Sequence, residues 1–453
     1  MNNNSGDIKG KGNRKKIIII SEYYAPENII AAVRMSKITK YLNKDGKYEI
    51  LVIANEYNKD YEDEILKKDV IDKANIVRID NNRIGRFVYC LLVNRHNRRI
   101  KMNSADSQHN SVLRNNNQIK VQFKLLAYYL IEYANTMAFK HGAIRYLRTV
   151  DLSDYSYIIS TYGPLSSHLV AKWIKKLYPS IRWIADFRDP VLNIFTPLGF
   201  RHYARIYAQR VTKSADAVVA VSKGCMNELF LENYPNKHII TNGYDREDVT
   251  DILATNNTYH DKLIFAYVGS LYEGKRDLTA VFRCIRELIN EELMEIDKVS
   301  FVYAGASEAC FLQQIGKYNL ENNTTVCGVI SREQSLEVQR HADILLLASW
   351  NNVGSTGVIT GKFFEYIMMD RPILCAISGN LPNCTLKEMI HEAKIGVCYE
   401  EVNDEVDYQL LKQFILTKYN EFTDSGKLAF NPNYDYIERF NYKNIVKQFE
   451  DLF

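Results

Sequence analysis

Apolar residues in this chain gather in short runs, and the runs alternate with stretches of helical period. Residues 15–24 (K-K-I-I-I-I-S-E-Y-Y), 48–55 (Y-E-I-L-V-I-A-N), 76–80, 155–161, 182–186, 215–222 and 238–241 are rich in aliphatic and β-branched side chains. Continuous runs of this kind are the mark of strands buried on both faces of a parallel sheet. Helical spacing fills the gaps at 30–43, 167–177 and 223–233, so a βα series is predicted. A second series starts at 262–269 and continues through 299–304, 325–329, 343–348, 372–376 and 396–399, with helices from 278 and over 308–318, 332–341 and 386–393. T-N-G-Y-D at 241–245 is turn chemistry between the two series. The expected class is α/β with two tandem doubly wound, Rossmann-like domains, residues 15–244 and 245–432. Residues 1–14, rich in Asn, Gly and Lys, read as a disordered tail. Residues 433–453 close the chain as a helix with Ile445, Val446, Phe449 and Leu452 on one side.

The densest candidate chemistry lies at 350–374, W-N-N-V-G-S-T-G-V-I-T-G-K-F-F-E-Y-I-M-M-D-R-P-I-L, where a strand, a glycine-rich loop and a helix follow in series. Gly354, Gly357 and Gly361 allow backbone N–H groups to approach a ligand, with Val358 and Thr360 between them, at a helix start where phosphate is favoured. Lys362 adds a charge there, and Glu365, one turn on, is placed to accept hydroxyl hydrogens from a ribose or sugar. The alternative is an ordinary turn with Lys362 and Glu365 as a surface pair. At the end of the first strand of the same series, V-G-S-L-Y-E-G-K-R-D (268–277) resembles a diphosphate cradle: Gly269 and Ser270 turn the chain and Lys275 and Arg276 supply charge. A solvated basic turn is its alternative.

Two further stretches of the first half carry candidate roles. A-D-F-R-D-P (185–190) places Asp186, Arg188 and Asp189 at the carboxyl end of a strand, where open α/β sheets bind ligands. A carboxylate there can orient or deprotonate a hydroxyl and the arginine can hold a phosphate, or Arg188 and an aspartate simply fix the turn. Gly163 opens the loop before the helix that carries His168, which suits packing or capping better than a base. Residues 84–148 hold eleven Lys/Arg against Asp106 and Glu132, with aromatic and aliphatic residues interleaved. Such an insertion fits an anionic lipid leaflet, nucleic acid, or helices packed on the sheet with a solvated basic face.

Composition narrows the classes. With 46% hydrophobic and 25% charged residues the chain is of ordinary globular type. The net charge of +4 conceals an asymmetry: residues 1–240 hold 38 Lys+Arg and 22 Asp+Glu, and residues 241–453 hold 20 and 32. The halves therefore meet different partners. Eight cysteines show no metal-ligand spacing and read as reduced thiols, and no segment has the length of a membrane span, so a cytoplasmic protein, at most peripheral on the membrane, is expected.

Taken in order, A-D-F-R-D-P (185–190), T-N-G-Y-D (241–245), V-G-S-L-Y-E-G-K-R-D (268–277) and G-K-F-F-E-Y (361–366) resemble the signatures of GT-B glycosyltransferases of the retaining family 4 group, which build bacterial surface polysaccharides. The resemblance covers nearly the whole chain from Lys15 on, least of all 84–148. It implies two domains facing across a cleft, a closing helix that returns to the first, and transfer of a sugar from a nucleotide diphosphate donor to a hydroxyl of a lipid-linked or growing glycan, with retention and without metal or other cofactor. It assigns Lys275 to the diphosphate, Glu365 to the ribose, the backbone at Gly328 and Val329 to the base, and Gly357 to Gly361 to the sugar and phosphates. Three positions depart from the pattern. Gly357 stands where relatives carry a glutamate, Ser270 where many have an arginine, and N-I-I-A-A (28–32) where a glycine pair is frequent. Specific nucleic-acid binding is not expected. The rival readings are a nucleotide-sugar epimerase or hydrolase on the same fold, and a non-catalytic scaffold that docks through its basic first half.

Overall fold

A computed structural model describes residues 14–57, 59, 62–80, 114–192, 196–229, 234–254, 260–272, 274–352 and 358–453. The expectations for the tail at 1–13, for the first part of the basic insertion at 81–113 and for Gly354 and Gly357 lie outside these residues. The chain forms two compact units. One runs to Ala220 and includes Glu228–His238 and Gln448–Phe453; the other is Val221–Asn227 and Ile239–Lys447.

In the first unit the strands are β1 (Lys15–Ile20), β2 (Tyr48–Asn55), β3 (Asn75–Ile79), β4 (Tyr155–Thr161), β5 (Arg182–Phe187), β6 (Ala217–Ala220) and β7 (Lys237–Ile239), in the order β3-β2-β1-β4-β5-β6-β7. Ile17 to Ile20 have no exposed surface, as befits the central strand of a sheet covered on both faces. The order reverses between β1 and β4, where the carboxyl ends leave a crevice. Phe453, the last residue, stacks on Tyr157 at 4.3 Å between ring centroids and meets Tyr48 edge-on at 5.7 Å.

The second unit repeats the plan with six strands, β8 (Leu263–Val268), β9 (Val299–Ala304), β10 (Thr324–Val326), β11 (Ile344–Trp350), β12 (Ile373–Ser378) and β13 (Gly396–Glu400), in the order β10-β9-β8-β11-β12-β13. Here the order reverses between β8 and β11. Every strand pair in register is parallel, and Phe265, Phe301, Tyr303, Leu346 and Leu374 join the helix residues Val281, Phe282 and Ile285 in one core.

Three helical findings differ from the sequence pattern. Residues Arg114–Leu147 form one 34-residue helix. The pattern at 434–453 is broken into helices Tyr434–Ile437 and Tyr442–Glu450 by a 3-10 turn at Glu438–Phe440. A 22-residue helix, Asp404–Ser425, packs against the unit through Leu411, Ile415, Tyr419 and Phe422 without having been read from the sequence.

Candidate functional site

At the β8–β11 reversal the carboxyl ends of three neighbouring strands are stitched together by backbone. Gly269 N–H donates to the Ala304 carbonyl at 2.8 Å, Gly305 N–H to Gly328 at 2.8 Å, and Cys327 N–H to Tyr303 at 2.8 Å. The Tyr303 hydroxyl donates to the Gly269 carbonyl at 3.1 Å and accepts from Ser307 N–H at 2.7 Å, which fixes the exit of β8. Gly305 is required by this closeness, since a Cβ there would stand 2.2 Å from the Gly269 carbonyl oxygen.

Two groups of charged side chains converge on residues 269–270. On one side, a Cβ at Gly269 would lie 3.5 Å from Lys362 Cε, so the lysine stem runs past that backbone. Lys362 Nζ reaches Glu365 Oε2 at 2.7 Å. The helix that carries them, Gly361–Ile367, starts at Thr360, whose hydroxyl accepts from Lys362 N–H at 3.4 Å. Val358, half-buried, precedes it. Burial pushes the Glu365 carboxyl up, but Lys362 and then Arg332 outweigh it, so its pKa lies below the usual value and the group is ionised. Gln339 Nε2 adds a donor at 3.4 Å. An ionised, hydrogen-bonded carboxylate at a sheet edge is an acceptor for ligand hydroxyls.

On the other side, the Arg276 guanidinium donates to the Ser270 carbonyl at 2.7 Å and lies 4.6 Å from the Tyr272 ring. Lys275 Nζ lies 5.1 Å from the centroid of Trp350, the last residue of β11, and Arg276 lies 5.6 Å from it. Lys275, Arg276, Lys362, Glu365, Gly269 and Ser270 are thus gathered at one edge of one sheet. Gly328 (φ +67°) has open space where a Cβ would point, and Val329 beside it is 79% exposed, an unusual position for an aliphatic side chain.

The first unit uses its marked residues differently. Asp186 is fully buried and accepts from Arg34 Nη2 at 2.8 Å and from the Thr161 hydroxyl at 2.8 Å. Arg188, also buried, donates to the carbonyls of Tyr162 at 2.9 Å, Gly163 at 2.6 Å and Ala31, so its donors tie its own loop to the loop after β4 and to the first turn of the helix Ile30–Leu42. Gly163 (φ +107°) leaves that room: a Cβ would come within 2.8 Å of Arg188 Nη2. Asp189 sits 3.4 Å from Arg188 Nε with its side chain 61% exposed, and of the four it alone turns a polar group to solvent. His168 is buried, with Nδ1 2.8 Å from Ser160 Oγ, which also accepts from Trp183 Nε1 at 2.7 Å. Nε2 of the ring is buried without a hydrogen-bond partner, and burial lowers the pKa to about 3.

Several contributors carried little sequence signal. Arg332 and Gln339, which steady Glu365, lie on a helix (Arg332–His341) that was read only as an element. Glu22, at the carboxyl end of β1, is 5% exposed and accepts from Asn55 Nδ2 at 2.8 Å and from the Ser166 hydroxyl; burial lifts its pKa to about 7. An acidic residue two positions after the apolar run Ile17–Ile20 was the available signal.

No protein-family model and no curated protein matches this sequence. Solved structures do match in fold. The apo structure of OtsA shares 10% identity, with 97% of this chain and 99% of that one aligned at a TM-score of 0.58. The N-terminal domain of Candida albicans trehalose-6-phosphate phosphatase shares 11%, covering 99% and 98% at 0.57. The lipopolysaccharide outer core galactosyltransferase WaaB, in apo form, shares 13%, covering 97% and 99% at 0.53. The chain has the two-domain α/β architecture of the GT-B fold. At these identities the likeness is one of fold.

Proposed function

We propose that this chain is a glycosyltransferase of the retaining family 4 type, moving a sugar from a nucleotide diphosphate donor to a hydroxyl of a lipid-linked or growing surface glycan without a divalent cation. The observation that supports it is that Lys362, paired with Glu365, passes Gly269 while Arg276 donates to Ser270 and Lys275 lies by Trp350, all at the carboxyl ends of β8 and β11 where the strand order reverses. Open α/β sheets take their ligands at such a point. In this reading Glu365, held ionised by Lys362 and Arg332, accepts the ribose hydroxyls. Lys275, Arg276 and Lys362 stabilise charge on the departing diphosphate, and the backbone at Gly328 and Val329 meets the base. The name borne by WaaB, a galactosyltransferase of similar fold, is consistent with sugar transfer. On the acceptor side Asp189 is the group available to a hydroxyl, while Asp186 and Arg188 hold the loops that present it.

The test is thermal denaturation of the full chain against a panel of nucleoside diphosphates and nucleotide sugars, followed by product analysis with and without a glycan acceptor. A ligand at a hundredfold its Kd stabilises by about 2.7 kcal/mol if it binds only the folded state. Lys275→Ala is expected to leave the apo melting temperature in place and lower kcat on the order of a hundredfold, the scale of one lost transition-state donor. No shift with any nucleotide, or donor turnover that ignores the acceptor, rejects transfer.

A further inference from the structure

Two helices of the first unit, Arg114–Leu147 and Arg201–Thr212, share a surface unlike the rest of the molecule. Leu130 and Tyr133 on the first are 55% and 50% exposed, and Phe200 and Tyr203 at the start of the second are 38% and 57% exposed. These side chains are neighbours: Tyr129 lies 5.3 Å from Phe200 and Tyr203 stacks on Tyr207 at 5.7 Å. Burial, then Tyr203 nearby, raises the Tyr129 pKa, and burial, then Tyr133, raises that of Tyr207, so the two helices bring their phenols together. Tyr203, Tyr207 and Arg210 fall at helical spacing on one stripe.

The charge around this face is predominantly positive, with Glu132 and Glu228, the latter beside Arg205 and Arg201, as its acidic members. Residues 126–148 and 190–215 carry Lys140, Arg145, Arg148, Arg201, Arg205, Arg210 and Lys213 against the single carboxylate of Glu132. Arg145, Arg148, Arg201, Arg210 and Lys213 are exposed. Half-exposed tyrosines beside aliphatic side chains suit the headgroup level of a bilayer, where an aromatic ring can be half in and half out. Surrounding cations suit an anionic leaflet, each contributing roughly fivefold in partition. No described helix is long and apolar enough to cross a membrane, so contact here would be interfacial.

We infer that the face formed by Leu130, Tyr133, Phe200 and Tyr203, with Arg201 and Arg210 on the helix that carries Tyr203, docks the protein on an anionic phospholipid surface. The inference is independent of sugar transfer, although it would deliver the chain to a lipid-linked acceptor.

Sedimentation of the protein with vesicles tests it. With mixed phosphatidylcholine and phosphatidylglycerol vesicles the protein is expected in the pellet, and with phosphatidylcholine alone in the supernatant. The double variant Tyr133→Ser/Tyr203→Ser and, separately, Arg201→Glu/Arg210→Glu should each lower partition on the order of tenfold or more. Both should keep the wild-type melting temperature and the same thermal shift with nucleotide. Three results overturn the inference: no binding to anionic vesicles, binding by the variants equal to wild type, or a patch-dependent dimer or RNA complex with no vesicle binding. Patch-dependent vesicle binding without any nucleotide shift would reject the transferase reading and leave this surface standing.

Discussion

Glu22 and His168 are buried titratable groups of the first unit whose surroundings push their stability contributions in opposite directions with pH. The Glu22 carboxyl has a pKa of about 7, raised by burial from 4.5. Its folded pKa exceeds the unfolded one, so its contribution is fully present below pH 4.5 and is lost as pH rises through about 7. The loss at saturation is up to about 3 kcal/mol. His168, lowered to about 3 by burial, does the reverse: its contribution is present above pH 6.5 and is lost as pH falls toward 3. Glu22→Gln keeps the acceptor for Asn55 and offers the Ser166 hydroxyl an N–H in place of a charge. That variant should therefore hold its melting temperature between pH 4.5 and pH 7, where the wild type declines. Thermal melts of both across that range check it; parallel curves would show that Glu22 is not neutral in the fold. His168→Gln should flatten the acid limb instead.

At the scale of elements, the strands were legible because parallel strands buried on both faces appear as unbroken apolar runs. The seven strands of one sheet and the six of the other follow the stretches marked from sequence. Lys362, Glu365, Lys275 and Arg276 could be marked because loops after such strands are where ligands bind, but their partners could not. Arg332 and Gln339 meet Glu365 only once the helix Arg332–His341 is set against the sheet. Likewise the inward turn of Asp186 depends on Arg34, 152 residues earlier. The helix Asp404–Ser425 escaped because Val406, 67% exposed, and Leu410, 48% exposed, place aliphatic side chains on its outer face and blur the stripe. Two substitutions probe the elements at the site. Ser331→Ala removes the capping box at the start of the Arg332 helix and should cost about 1 kcal/mol in urea denaturation. Gly305→Ala forces its methyl group against the Gly269 carbonyl and should displace the end of β8. A large loss of the nucleotide-induced thermal shift is expected from Gly305→Ala, and an unchanged shift would mean that this strand end does not touch the ligand.

For the whole molecule, charge separates two interactions that salt can tell apart. The basic first half, 38 Lys+Arg against 22 Asp+Glu, favours anionic surfaces over many exposed side chains. At 0.1 M salt the Debye length is about 10 Å, so attraction of that kind is screened steeply as ionic strength rises. The acidic second half, 20 Lys+Arg against 32 Asp+Glu, repels a nucleoside diphosphate at long range. Affinity there must come from short contacts with cations such as Lys362, whose side chain is 29% exposed and which screening reaches less fully. Added salt weakens the long-range repulsion as well as the short-range attraction, and the two changes oppose each other. Partition onto anionic vesicles should therefore fall on the order of tenfold or more between low and high salt, while the nucleotide-induced thermal shift changes far less. Both can be followed on one preparation across a sodium chloride series. A nucleotide shift that collapses as steeply as vesicle binding would mean that the diphosphate is held by diffuse surface charge, and the convergence of side chains at the switch point would lose its role.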